Sequence, residues 1–148
     1  MNDVKKFQMK VNGRGTTGTV VVGDILRVTA TFHDVVDSKT AYIYHNRYRV
    51  TVTNLKTGKR CSYFFHDSPH NTQTKNIHPE DLGYSILACI KTDWHYTKDN
   101  YPTFEDFANE FGYDTDSRKA EKVYHKCIRL GEKLQEVVPE NLLEQLPD

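Results

Sequence analysis

Residues 103–138 leave little freedom in how the second half of the chain folds. Thr103 stands before an apolar triplet, Phe104, Phe107 and Phe111, whose spacing places all three rings on one helical face. Asp106 follows the threonine by three residues, a variant of the capping box. Gly112 supplies a left-handed stop. A polar turn comes next, in which Asp114 or Thr115 is expected to cap a long amphipathic helix. The expected buried stripe of that helix is Ala120, Val123, Tyr124, Cys127, Leu130, Leu134 and Val137. Pro139 breaks it and opens a short last turn carrying Leu142, Leu143 and Leu146.

A further helix precedes this unit. Pro79 suits a first helical position, and Glu80 and Asp81 favour the positive end of the helix dipole. Leu82, Ile86, Leu87, Ile90 and Trp94 recur every three to four residues. Asn100, Tyr101 and Pro102 end the segment.

Upstream the period changes to two. Residues 6–11 and 16–22 read as strands, with Gly18 as a bulge candidate and Gly23 and Asp24 as a tight turn. Leu26, Val28, Ala30 and Phe32 alternate with Arg27, Thr29 and Thr31, which predicts one buried and one wet face. Residues 33–40 read as a looser connection. Residues 41–54 form a long strand candidate in which Tyr48, Val50 and Val52 oppose Arg49, Thr51 and Thr53. A loop through Gly58 leads to a return strand over residues 60–66. Residues 67–77, with Pro69, read as a loop. The expectation is an α+β fold: an N-terminal antiparallel β-sheet of about four to five strands, packed against three to four C-terminal helices.

With 148 residues the chain is expected to be a single domain (1–148), mainly strands over 1–77 and mainly helices over 78–148. Cys61, Cys89 and Cys127 are too few and too scattered for a disulfide framework and read as free thiols. The N-terminal residues lack the apolar run of a signal peptide, and no stretch is long and apolar enough for a membrane helix.

The net charge of zero conceals an asymmetry. Residues 1–77 hold 12 Lys and Arg against 5 Asp and Glu; residues 78–148 hold 8 against 15. The split gives +7 and −7, which either steers partners to opposite ends or disappears when the halves pack together.

Four groups of residues are candidates for function. Arg118, Lys122, Lys126 and Arg129 recur about once per helical turn and suit phosphate contact, in competition with an ordinary salt-bridged surface. Tyr42, Tyr44, Arg47 and Arg49 form an adhesive strand segment of residue types favoured at interfaces. Asp99, Glu105, Asp106, Glu110, Asp114 and Asp116 make an acidic group, which helix capping explains in part. His66, Asp67 and His70 are the best metal candidates, but their spacing fits no firm metal motif, so neither metal nor cofactor is expected. No catalytic set is apparent: Cys127 and His125 diverge on a helix.

Phe104, Glu105, Asp106 and Phe107, then residues 110–120 and Tyr124, His125, Lys126 and Cys127, resemble a family of small early accessory proteins of tailed bacteriophages and prophages. The likeness extends upstream through Phe64, Phe65 and residues 87–93, covering about residues 48–138. It implies a product acting in the cytoplasm of an infected bacterial host. The resulting expectation is a non-enzymatic anti-defence protein acting by stoichiometric binding, most plausibly an anti-CRISPR inhibitor of an effector nuclease. Its partner would be a host defence protein or nucleoprotein complex. The alternative is a nucleic-acid-binding accessory protein that uses the basic helix stripe. The matched residues cap and pack, so the resemblance assigns none of them a functional role.

Overall fold

A computed structural model of the protein describes residues 8–12, 15–38, 43–67 and 79–147. Five strands come first: β1 (Gln8–Asn12), β2 (Gly15–Val22), β3 (Leu26–Ser38), β4 (Ile43–Asn54) and β5 (Arg60–Asp67). They form one antiparallel meander in chain order, with β1 and β5 at its edges. Three α-helices follow, α1 (Pro79–Asp93), α2 (Phe104–Phe111) and α3 (Arg118–Val137), then a 3-10 turn over Glu140–Gln145. This is the α+β arrangement expected from the change of period.

The two-residue alternation decides which sheet face is covered. Val20, Val22, Leu26, Val28, Ala30, Tyr48, Val50, Val52 and Cys61 are buried on one face. They share a core with Ile86, Leu87 and Ile90 of α1 and with Leu134 and Val137 of α3. Val138, Leu142, Leu143 and Leu146 close that core from the C-terminal end. Each fully buried aliphatic side chain contributes about 1.5–3 kcal/mol. Asn54 ties the sheet to the helices: its Nδ2 donates to the Val137 carbonyl at 3.0 Å, and its Oδ1 accepts from the amides of Lys56 and Thr57.

A second core lies between α2 and α3. Phe107, Tyr124 and Ile128 are buried there, with Tyr96, Tyr101, Phe104 and Cys127 packed around them. Phe107 is its centre, with ring centroids of Phe111, Tyr124 and Tyr101 at 4.8, 5.3 and 5.9 Å. The Tyr124 hydroxyl donates to the Tyr101 carbonyl at 2.7 Å. Thr103 caps α2 as expected, accepting from the Asp106 amide, and Gly112 ends it at φ 76°.

Four local expectations need correction. The cap of α3 is Ser117, whose hydroxyl accepts from the Ala120 amide; Asp114 instead accepts from the Asp116 amide inside the turn. The buried stripe of α3 runs through Ile128 and Gly131 rather than Val123, which is exposed. Gly18 is no bulge, because its pairing with Met9 and Ala30 is regular; the register shift falls between Phe32 and Asp34. That shift lets β3 continue to Ser38, where a looser connection was expected: beyond it, Asp34 to Ser38 still find partners from Arg47 to Ile43. Of the loop expected over residues 67–77, Asp67 ends β5 and the remainder lies outside the described residues.

Gly131 is where α3 meets the end of α1 most closely. A Cβ there would stand 2.0 Å from the Tyr96 carbonyl oxygen and 3.0 Å from that of Asp93. Neighbouring contacts hold the approach in place: Gln135 Nε2 donates to the Trp94 carbonyl at 3.1 Å, and Trp94 Nε1 donates to the Val138 carbonyl at 2.9 Å. Intrinsic helix propensity favours alanine over glycine by about 1 kcal/mol. The contact reverses that sign. Gly131→Ala is predicted to lower the unfolding free energy by about 1–3 kcal/mol in urea titration, as overpacking does. A more stable variant would contradict this packing.

Candidate functional site

The uncovered face of the sheet carries the residues that alternate with the core. Arg27, Arg49, Arg60, Ser62, Phe64 and His66 are exposed, and Arg47 is half-buried. Strand register arranges them in rows about 4.8 Å per strand apart. Arg27, Thr53 and Arg60 form one row, Thr29, Thr51 and Ser62 the next, and Thr31, Arg49 and Phe64 a third. Arg47 pairs with His66 beyond them. The hydroxyls of Thr51 and Ser62 are 2.8 Å apart across the middle row.

Phe64 is the centre of one end of this face. The guanidinium carbons of Arg47 and Arg49 lie 4.7 and 4.9 Å from its ring centroid, and the His33 ring lies at 5.0 Å. Such contacts are attractive because the ring face is electron-rich. Arg47 is further held by a two-pronged bond to Asp34: Nε donates to Oδ1 at 2.7 Å and Nη2 to Oδ2 at 2.6 Å. The hydrogen bond from Arg47 lowers the carboxyl pKa of Asp34, and the same bond raises that of Arg47. The side chains of Arg27, Arg49 and Arg60 make no ion pair or hydrogen bond with any described residue. Part of the positive excess of the first half is therefore spread over one flat surface, with Asp34 as a local counter-charge.

The sequence-predicted residues fall on three surfaces. Arg47 and Arg49 meet on Phe64, whereas Tyr42 and the side chain of Tyr44 lie outside the described residues. Tyr48, which lies between Arg47 and Arg49 on the opposite face of the strand, is fully buried in the core. Asp99, Glu105 and Asp106 are exposed on the turn before α2 and on its first turn, with Glu110, Asp114 and Asp116 exposed further along. Phe111 and Tyr113 stand among them, each 43% exposed. Arg118, Lys122, Lys126 and Arg129 are all exposed along α3, where Lys133 extends the stripe. None of these five cations makes an ion pair with a described residue. Asp67 has no described side chain and His70 lies outside the described residues; among the described residues no group of three metal-ligating side chains converges.

Burial shifts several titratable groups between sheet and helices. Burial pushes the thiol of Cys61 up to about 11, opposed by the nearby Lys133 ammonium. Burial likewise raises the Cys89 and Cys127 thiols, with the Asp93 carboxylate adding to the effect. A raised thiol is a poor nucleophile at neutral pH. The Tyr63 hydroxyl is buried without a hydrogen-bond partner among the described residues. Arg27, Arg60 and Phe64 were not singled out from sequence as contact residues. The alternation of residues 26–32 marked Arg27 as outward-facing, but only the register brings Arg60 and Phe64 beside it.

Asp93 yields a test of this reading of the interior. Burial raises its carboxyl pKa from 3.8 to about 6. Its stabilising contribution is complete below pH 3.8 and is lost as pH rises through about 6. At pH 8 the ionised, desolvated carboxylate destabilises the fold. Asp93→Asn is predicted to raise the unfolding free energy at pH 8 by about 1–3 kcal/mol, at ~1.4 kcal/mol per pKa unit. The gain should shrink as pH falls through 6 toward 4, as read by urea titration at each pH. A gain independent of pH would contradict burial as its cause.

Comparison of the chain with protein-family models, with curated proteins and with solved structures found no match.

Proposed function

We propose that the protein binds nucleic acid through the open face of its sheet. The supporting observation is the set Arg27, Arg47, Arg49 and Arg60 arrayed with Phe64 on one uncovered face, three of the four arginines lacking a counter-ion among the described residues. Like charges gathered on a sheet without compensation oppose folding. A polyanion relieves that repulsion and releases counter-ions on binding. Guanidinium groups suit phosphate through their fork of donors, and their planes, like the Phe64 ring, accept stacked bases. Thr29, Thr51 and Ser62 add short hydroxyls that do not obstruct close approach. The accessory protein implied by the C-terminal resemblance would use this face on nucleic acid in the infected cell.

A second reading, inhibition of a CRISPR effector nuclease by direct binding, draws support from α2 and the turn after it. There Asp106, Glu110, Asp114 and Asp116 are exposed, as are Phe111 and Tyr113 between them in sequence. Acidic side chains around aromatic anchors suit a basic channel. Helix capping accounts for part of this group, since Glu105 and Asp106 occupy the first turn of α2 and Asp114 bonds within the turn. The sheet face has no comparable local explanation, so it carries the proposal.

Fluorescence anisotropy with labelled oligonucleotides at several salt concentrations tests the proposal. Arg27→Glu with Arg49→Glu is predicted to weaken binding by at least tenfold and to flatten the salt dependence. Asp106→Lys with Glu110→Lys should leave that binding intact. If the acidic-end pair instead abolishes binding to an effector nuclease, while wild type ignores oligonucleotides even at low salt, the inhibitor reading replaces this one.

A further inference from the structure

We infer that the ligand is a single-stranded polynucleotide and that its path leaves the sheet over the β5 edge and continues along the cationic face of α3. This rests on the nucleic-acid reading of the open face and extends it in two respects, strandedness and route.

Strandedness follows from shape and chemistry. The face is one side of an antiparallel sheet with an aromatic ring and guanidinium planes at its surface, and the two-stranded ribbon in which β3 and β4 continue beyond their neighbours (36–38 with 43–45) contains no Lys or Arg. Duplex grooves are entered by projecting elements. Exposed rings and guanidinium planes act on bases that are already unstacked.

The route follows from topology. β5 is an edge strand, with β4 as its neighbour in the sheet. Arg60, Ser62 and Phe64 point to the open face, and Cys61 between them points to the core that contains Leu134 of α3. α3 packs against β5 and puts Lys133 within electrostatic reach of Cys61. From Lys133 the cations Arg129, Lys126 and Lys122 run back along one helix face over about 16 Å, at 1.5 Å per residue. The two basic surfaces therefore lie on either side of β5, the edge strand.

The charge pattern of α3 argues for use rather than solubility. Arg118 and Lys122, Lys122 and Lys126, and Arg129 and Lys133 are each four residues apart and alike in charge, as are Glu132 and Glu136. Like pairs at this spacing each destabilise a helix by about 0.2–0.5 kcal/mol. A helix selected for stability alone would alternate signs there. Removing the cations should therefore preserve or raise stability while removing the contact.

The experiment compares wild type with the triple variant Lys126→Gln, Arg129→Gln and Lys133→Gln and with the sheet variant Phe64→Ala, Arg49→Gln. Probes are labelled oligo(dT) and oligo(rU) of about 6 and about 20 nucleotides, bracketing common single-strand site sizes, and a 20-base-pair duplex. The α3 variant is expected to melt no lower than wild type. It should bind the long strand about tenfold more weakly, with a salt slope smaller by up to about 2, from ~0.7 per phosphate contact. Its binding to the short strand should be unchanged. The sheet variant should lose both lengths. If the α3 variant binds the long strand like wild type, the route is wrong and the sheet reading stands. If the duplex binds as tightly as the single strand, the strandedness is wrong. If wild type binds no probe at low salt, the sheet reading and this inference fall together.

Discussion

One-sided burial of the sheet is the constraint on which the rest of the molecule depends. The helices cover a single face, and they do so because β3, β4 and β5 alternate apolar and polar residues in matched register. A slip of one residue would move Val28, Val50 and Val52 into water and the arginines into the core. Asn54 and the close approach at Gly131 lock the helical layer to that face. What remains outside is a regular surface whose composition folding does not dictate. Threonine and serine suffice for an open sheet face, so four arginines and a phenylalanine call for another explanation.

Electrostatics gives that explanation its direction. On the sheet, the Asp34 carboxylate engages Arg47 and leaves Arg27, Arg49 and Arg60 without a counter-ion among the described residues. On α3, like charges recur at the spacing where opposite charges would stabilise. Both surfaces carry unrelieved positive charge, and both adjoin β5. The negative excess of the second half is prominent on α2 and the turn after it, where helix dipoles and turn hydrogen bonds account for part of it.

Much of the fold was legible from residue pattern. Thr103 and Gly112 bound α2 where propensity and capping chemistry place them, and the β4–β5 hairpin lies where Tyr48, Val50 and Val52 alternate with polar neighbours. Local signals failed where several residues could do the same local task. Asp114, Thr115 and Ser117 could each cap α3, and packing beyond the turn decides among them. The bulge between Phe32 and Asp34 depends on pairing with β4, which no single strand encodes. The site was half legible for the same reason. Arg47 and Arg49 stand out as neighbours in sequence, whereas Phe64, Arg27 and Arg60 join them only through cross-strand register. The lack of ion pairs on the α3 stripe also had to await coordinates, because opposite charges three residues apart were available there.

The most direct test maps the ligand on the protein rather than measuring its affinity. Titration of isotopically labelled protein with a single-stranded oligonucleotide, followed by backbone and arginine side-chain NMR, reports each contact by residue. The account predicts shifts concentrated at Arg27, Arg49, Arg60 and Phe64, continuing to Lys133 and Arg129, with residues 104–116 unmoved. Shifts confined to residues 104–116, or none at saturating ligand, would contradict it.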